Sequence, residues 1–188
     1  MTDGTMTLLA GRPQSLRHLL RAATAADHAR VDAGAARHDL STRDGYRAFL
    51  LWQARVLPGF EALFDAAPGA PPDWPERRRA PALRADLAAL GAAMPAPAPV
   101  PALEGPAARL GALYVLEGSR LGGLMLARTV RSAWPDAPLS FLEHGATARL
   151  WPRFTAWLDA HALSPAEQQA MTRGARAAFA AFLAALDG

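Results

Sequence analysis

YVLEGSRLGGL, running from Tyr114 to Leu124, places three glycines, Gly118, Gly122 and Gly123, inside an otherwise apolar helical pattern. Leu110, Leu113, Leu116, Leu121, Leu124 and Leu126 supply that pattern on either side. A glycine inside a helix costs about 1 kcal/mol relative to alanine, so this clustering demands a reason. The options are a kink, or a helix whose bare backbone lies flat against something large. Gly118 and Gly122 are four apart and share a face, with Gly123 beside them. A tight helix–helix contact would use the same face, and this stretch alone leaves both readings open.

A second stretch narrows the choice. LRHLLRAATAADHARVDA, Leu16 to Ala33, reads as an amphipathic helix started near Pro13 and Ser15. Leu16, Leu20, Thr24, His28 and Val31 fall at i, i+4, i+8, i+12 and i+15, which reads as one helical face. His28 is thereby expected on the inward stripe, as a satisfied core histidine or as a metal ligand. Asp32 follows at i+4, close enough to accept a hydrogen bond from one ring nitrogen and leave the other for a metal. Arg21 precedes His28 by two turns, roughly 10 Å along the same side. That span suits a flat cofactor with a metal at its centre and carboxylates at its edge.

Together the two stretches resemble the heme oxygenase family, and more closely its bacterial branch associated with bacteriophytochromes. The proximal LRxATxxxHxxxE-like pattern is matched from Leu20 and Arg21 through Thr24 to His28, with Asp32 in place of the glutamate. The distal GxxxGG pattern is matched by Gly118, Gly122 and Gly123. Looser matches at Asp86, Leu87, Leu90 and Gly91, and in the LSPAEQQ stretch, extend the resemblance over roughly residues 15 to 186.

The resemblance implies an all-α, single-domain bundle holding heme between a proximal and a distal helix. His28 is then the proximal iron ligand, and Arg21 meets a heme propionate. Gly118, Gly122 and Gly123 let the distal backbone lie on the other heme face and crowd bound dioxygen. Tyr114 either reaches the heme edge or packs ordinarily with its hydroxyl at the surface. The resemblance puts a second propionate contact at Arg149 or Arg153, with Arg153 named among the cofactor-binding residues, and the alternative for both is a solvent-facing side chain. Better-known members have an aspartate after the first distal glycine; here that position is Ser119. A serine can hold a water but brings no carboxylate, which implies a variant route for proton delivery.

The implied activity is oxidative opening of heme to biliverdin, carbon monoxide and ferrous iron, with heme as both cofactor and substrate and O2 as co-substrate. No flavin or dinucleotide motif occurs, so electrons are expected from a ferredoxin or reductase, and a bacteriophytochrome is the expected recipient of biliverdin. The alternative is a non-catalytic heme carrier on the same fold. A carboxylate-bridged diiron oxidase needs paired Glu-x-x-His motifs, and the chain has none. A cysteine-dependent thiamin-degrading enzyme is excluded because there is no cysteine.

Composition agrees. At 188 residues the chain is the size of one domain, half of it apolar and without convincing β-branched alternation, which points to an all-α fold. The absence of cysteine excludes disulfides and thiolate ligation. Every basic residue apart from histidine is arginine, and the net charge of +3 is small. The arginines are scattered without interleaved exposed aromatics, so no nucleic-acid partner is expected. No apolar run reaches the ~18 residues of a spanning helix, nor does the start resemble an export signal; a cytoplasmic protein without membrane contact is expected.

The expected order is a disordered start (1–12), then one domain (13–188). Helices are expected at about 13–34, 42–65, 81–91, 104–133, 147–161 and 165–186. Proline-rich loops fall at 66–80 and 94–101. Ser164-Pro165-Ala166-Glu167 reads as a capping box. His18, His38 and His161 read as surface histidines, and His144 as a loop residue that could border the pocket. The run Arg77–Arg79 reads as a solvated face, or as a dock for an acidic redox partner.

Overall fold

The computed structural model describes residues 15–66 and 68–186, so the expected disordered start at 1–12 lies outside the described residues. Among the described residues the chain is helical without strands: α1 (Leu16–Ala23), α2 (Ala25–Ala35), α3 (Arg43–Ala66), α4 (Trp74–Arg77), α5 (Ala80–Ala89), α6 (Gly105–Ala133), α7 (Leu150–Asp159) and α8 (Pro165–Ala184). One apolar core draws on α1, α3, α5, α6, α7 and α8.

The long helix α6 lies along α8, and glycine on each side lets the two backbones meet. A Cβ on Gly111 would overlap the Met171 carbonyl, and one on Gly174 would overlap the Ala108 carbonyl. Helix α2 also packs on α8, where His28 meets the edge of Phe179 at 5.8 Å between ring centroids. Thus α8 is a floor shared by the two helices that carry the conspicuous residues.

Local signals are well obeyed. Ser164 and Glu167 exchange the two reciprocal bonds of a capping box at the start of α8. After α5, Gly91 takes φ +70°. Its N–H bonds the Ala88 carbonyl while Ala92 N–H bonds that of Leu87, the paired arrangement of a Schellman end.

The expected helix 13–34 differs: it breaks at Thr24, where φ is −118° and ψ is 12°. The buried Thr24 hydroxyl donates to the Leu20 carbonyl at 2.7 Å, a back-bond that bends helices. Leu16, Leu20 and Thr24 are buried, but His28 is exposed. His28, four residues past the break, meets the core at the edge of Phe179.

Candidate functional site

Glycines in α6 are of two kinds. Gly111 serves the crossing with α8, and a Cβ on Gly123 would come within 2.9 Å of the Leu142 carbonyl oxygen. Gly118 and Gly122 have no backbone neighbour: a Cβ on Gly122 meets nothing within 4 Å, and one on Gly118 meets only the Trp151 ring at 3.7 Å. A tight helix–helix contact thus accounts for Gly111 and not for the Gly118/Gly122 face. Alongside it stand Leu121 and Met125, each three residues beyond one of these glycines. Among the described residues they are the two large apolar side chains left exposed, at 51% and 69%. Helix α6 runs unbroken through Gly118, Gly122 and Gly123. A bare backbone strip bordered by exposed apolar side chains is a surface for a flat apolar ligand.

One end of the strip is aromatic. Trp151, which sequence reasoning missed, lies against Gly118 and 5.8 Å from the Tyr114 ring, and stacks on Phe154 at 5.9 Å. Tyr114 is half-buried; burial raises its hydroxyl above the usual range, while Arg21 and Arg17 pull it back. These two charges lie on α1, which packs on α6 where Tyr114 is one turn from Gly118. Arg21 is exposed and makes no hydrogen bond or ion pair among the described residues.

On α2, His28 Nδ1 lies 2.9 Å from Asp32 Oδ2. The carboxylate fixes which nitrogen carries the proton and leaves Nε2 available, as in metal-binding histidines with a second carboxylate partner. Gly118, Gly122 and Tyr114 thus form one face on α6 with Trp151 of α7 against it and Ser119 at its edge toward Arg79, and His28, Asp32 and Arg21 lie on α1–α2. Arg153 stands apart: it holds Asp73 Oδ2 at 2.6 Å and Glu76 Oε2 at 3.2 Å. Arg149 is exposed, in the left-handed region with φ 51°.

Behind the glycine face lies a buried charge cluster. Arg77 grips Asp73 through Nε at 2.6 Å and Nη2 at 2.7 Å, and donates to Glu117 and to the Leu150 carbonyl. Arg120 holds the same Glu117 through Nε at 3.0 Å and Nη2 at 2.7 Å. Arg79 is 4% exposed and donates to the Leu116 carbonyl at 2.9 Å and Ser119 Oγ at 3.0 Å. Its backbone N–H bonds Glu61. Burial lowers Arg79 to about 10, Arg120 adding to the effect and Glu117 and Glu61 opposing it. Burial raises Glu61.

The run Arg77–Arg79 is therefore not the solvated face or the docking site expected of it. Arg78 has extended backbone, so successive side chains alternate and only Arg78 points out. The signal for this cluster was Glu117–Arg120 at i, i+3 inside an apolar helix, because charges on a buried face need partners.

His144 joins the cluster. Arg120 Nη1 lies 3.0 Å from its Nδ1, and burial, reinforced by Arg120 and Arg79, lowers the ring to about 4. An unfolded histidine takes up its proton near pH 6.5, while the folded ring refuses it until about 4. The contribution to stability is whole above 6.5 and declines as pH falls toward 4, by less than the about 1.4 kcal/mol per pH unit of a full proton, since the ring is only half-buried. Melting temperatures of His144→Gln should fall less steeply than those of the parent across this window.

No established profile of a protein family matches the chain. A heme oxygenase of Xanthomonas campestris pv. campestris (strain 8004) is 39% identical over 146 residues, spanning 74% of this chain and 87% of that relative. The chain belongs to the heme oxygenase family. Among solved structures, NO- and CO-bound heme oxygenase from Neisseria meningitidis superposes with a TM-score of 0.81 over 93% of this chain and 91% of its own, at 24% identity, a likeness of fold. This heme oxygenase homologue has the all-α architecture expected. No helix among its described residues is long and apolar enough to cross a membrane.

Proposed function

We propose that this heme oxygenase homologue opens heme to biliverdin, carbon monoxide and ferrous iron, using O2 and electrons from a separate ferredoxin or reductase. The observation that carries the reading is the Gly118/Gly122 strip, which packs against no backbone and is bordered by exposed Leu121 and Met125. When bound, heme supplies both the iron at which oxygen is activated and the ring that is attacked.

The chain's own residues hold and orient it. His28 would hold the heme iron through Nε2, with Asp32 on Nδ1. Arg21 offers a guanidinium to a propionate. Gly118 and Gly122 keep the distal side flat, and Gly123 seats α6 on the 139–145 loop. Ser119 Oγ accepts from Arg79 and donates to the Leu116 carbonyl at 2.8 Å, so the hydroxyl is held by two partners. The exposed Ser119 hydroxyl, held by Arg79, would hold water where other members of the family place a carboxylate. Membership of the bacteriophytochrome-associated branch, a cytoplasmic location and a bacteriophytochrome recipient are proposed on the YVLEGSRLGGL stretch.

The test is absorption spectroscopy with one equivalent of hemin, followed by ascorbate or a ferredoxin system in air. The parent chain should give a histidine-type Soret band that decays to a biliverdin spectrum with release of carbon monoxide. His28→Ala should lose the histidine-type band, and Asp32→Ala should bind hemin about tenfold more weakly. A stable complex that never loses its Soret band would make the chain a heme carrier.

A further inference from the structure

Resting on the heme reading above, we propose that Arg17, rather than Arg153, is the second carboxylate-binding cation, so that Arg17 and Arg21 together take both carboxylates of the tetrapyrrole. The two arginines are one turn apart on α1, about 6 Å along its axis. They share a side of α1, which packs on α6 and α7, and both charges act on Tyr114, one turn from Gly118. Neither pairs with a carboxylate among the described residues. Arg17 Nη2 lies 3.0 Å from His18 Nε2, a contact that leaves the positive charge uncompensated while the histidine is neutral. Arg21 has no polar partner among the described residues.

Arg153 is in the opposite condition. It is bonded to Asp73 and Glu76, and Asp73 is in turn gripped by the buried Arg77. Turning Arg153 to a ligand would break both of its ion pairs, whereas Arg17 and Arg21 break none.

Arg17 is also pre-positioned. The Asp159 carboxylate at the end of α7 accepts from Ser15 Oγ at 2.9 and 3.0 Å and from the Arg17 backbone N–H at 3.3 Å. These bonds fasten the first turn of α1 to the helix that carries Trp151. With both anchors on α1, the in-plane seating of the ring is set from one helix. Which bridging carbon faces Gly118 and Gly122 then depends on Arg17.

The experiment titrates the parent chain, Arg17→Gln, Arg21→Gln and Arg153→Gln with hemin and with hemin dimethyl ester, following the Soret band. Biliverdin isomers are separated in parallel. Arg17→Gln and Arg21→Gln should each weaken hemin about tenfold or more while leaving the ester unchanged, and Arg17→Gln should alter the isomer ratio. Arg153→Gln should keep the parent's discrimination between acid and ester. An Arg17→Gln chain that binds hemin as tightly as the parent and gives the same isomers overturns the proposal, as does loss of discrimination in Arg153→Gln. Absence of any Soret complex in the parent chain would overturn the heme reading itself, an outcome distinct from these.

Discussion

Gly122→Leu should fold, melt at or above the temperature of the parent chain, and fail to bind hemin. Nothing lies within 4 Å of a Cβ at this position, so a side chain extends into open space and displaces no neighbour. Leucine is the better helix former by about 0.8–1 kcal/mol, which raises Tm by about 2–4 °C in a domain of this size. The same side chain occupies the strip between Leu121 and Met125 that a flat ligand needs. Gly122→Ala should gain stability similarly, with a smaller loss of affinity. Gly111→Ala and Gly174→Ala make the contrast, since their added methyls overlap the Met171 and Ala108 carbonyls; both should melt well below the parent. Thermal melts and hemin titrations of the four variants separate the two kinds of glycine. If Gly122→Leu binds hemin like the parent, the strip is not the ligand surface.

That distinction could not be read from the sequence, although the glycines themselves could. Their spacing left helix contact and ligand contact open, and only the positions of neighbouring backbones decide between them. The capping box at Ser164 and Glu167, and the left-handed glycine after α5, were legible because they are local: each is formed within a few residues. The break at Thr24 is local too, but a threonine back-bond competes with helical pairing without any breaker residue to announce it. Exposure of His28 was missed because the apolar stripe was extended straight through that break. Least legible was Arg77–Arg79. A run of arginines in a proline-rich loop looks solvated, and its burial depends on Glu117, forty residues away from Arg77, and on Glu61.

Glu117 is accordingly the residue whose loss should be felt most. It is 1% exposed and held by Arg77 and Arg120, themselves 1% and 7% exposed. Removing one partner of a buried ion pair costs about 3–5 kcal/mol, because the remaining charge is stranded away from water. Here Glu117→Ala leaves Arg120 without a carboxylate and Arg77 with Asp73 alone, with the buried Arg79 beside them. The loss is a large share of the roughly 5–15 kcal/mol that stabilises a typical domain, and Tm should fall by about 10 °C or more. Arg120 also donates to the Arg77 carbonyl and touches His144, so its release loosens the 139–145 loop against which Gly123 is seated. The effect should therefore reach the site, as weaker hemin binding, although Glu117 lies behind the glycine face. Glu117→Gln retains shape and some acceptor capacity but not the charge, and should fall between the parent and Glu117→Ala in melting temperature. If Glu117→Ala melted within a degree or two of the parent, the buried cluster would contribute little to stability. The support of Gly118 and Ser119 would then have to come from the apolar contacts of α6 alone.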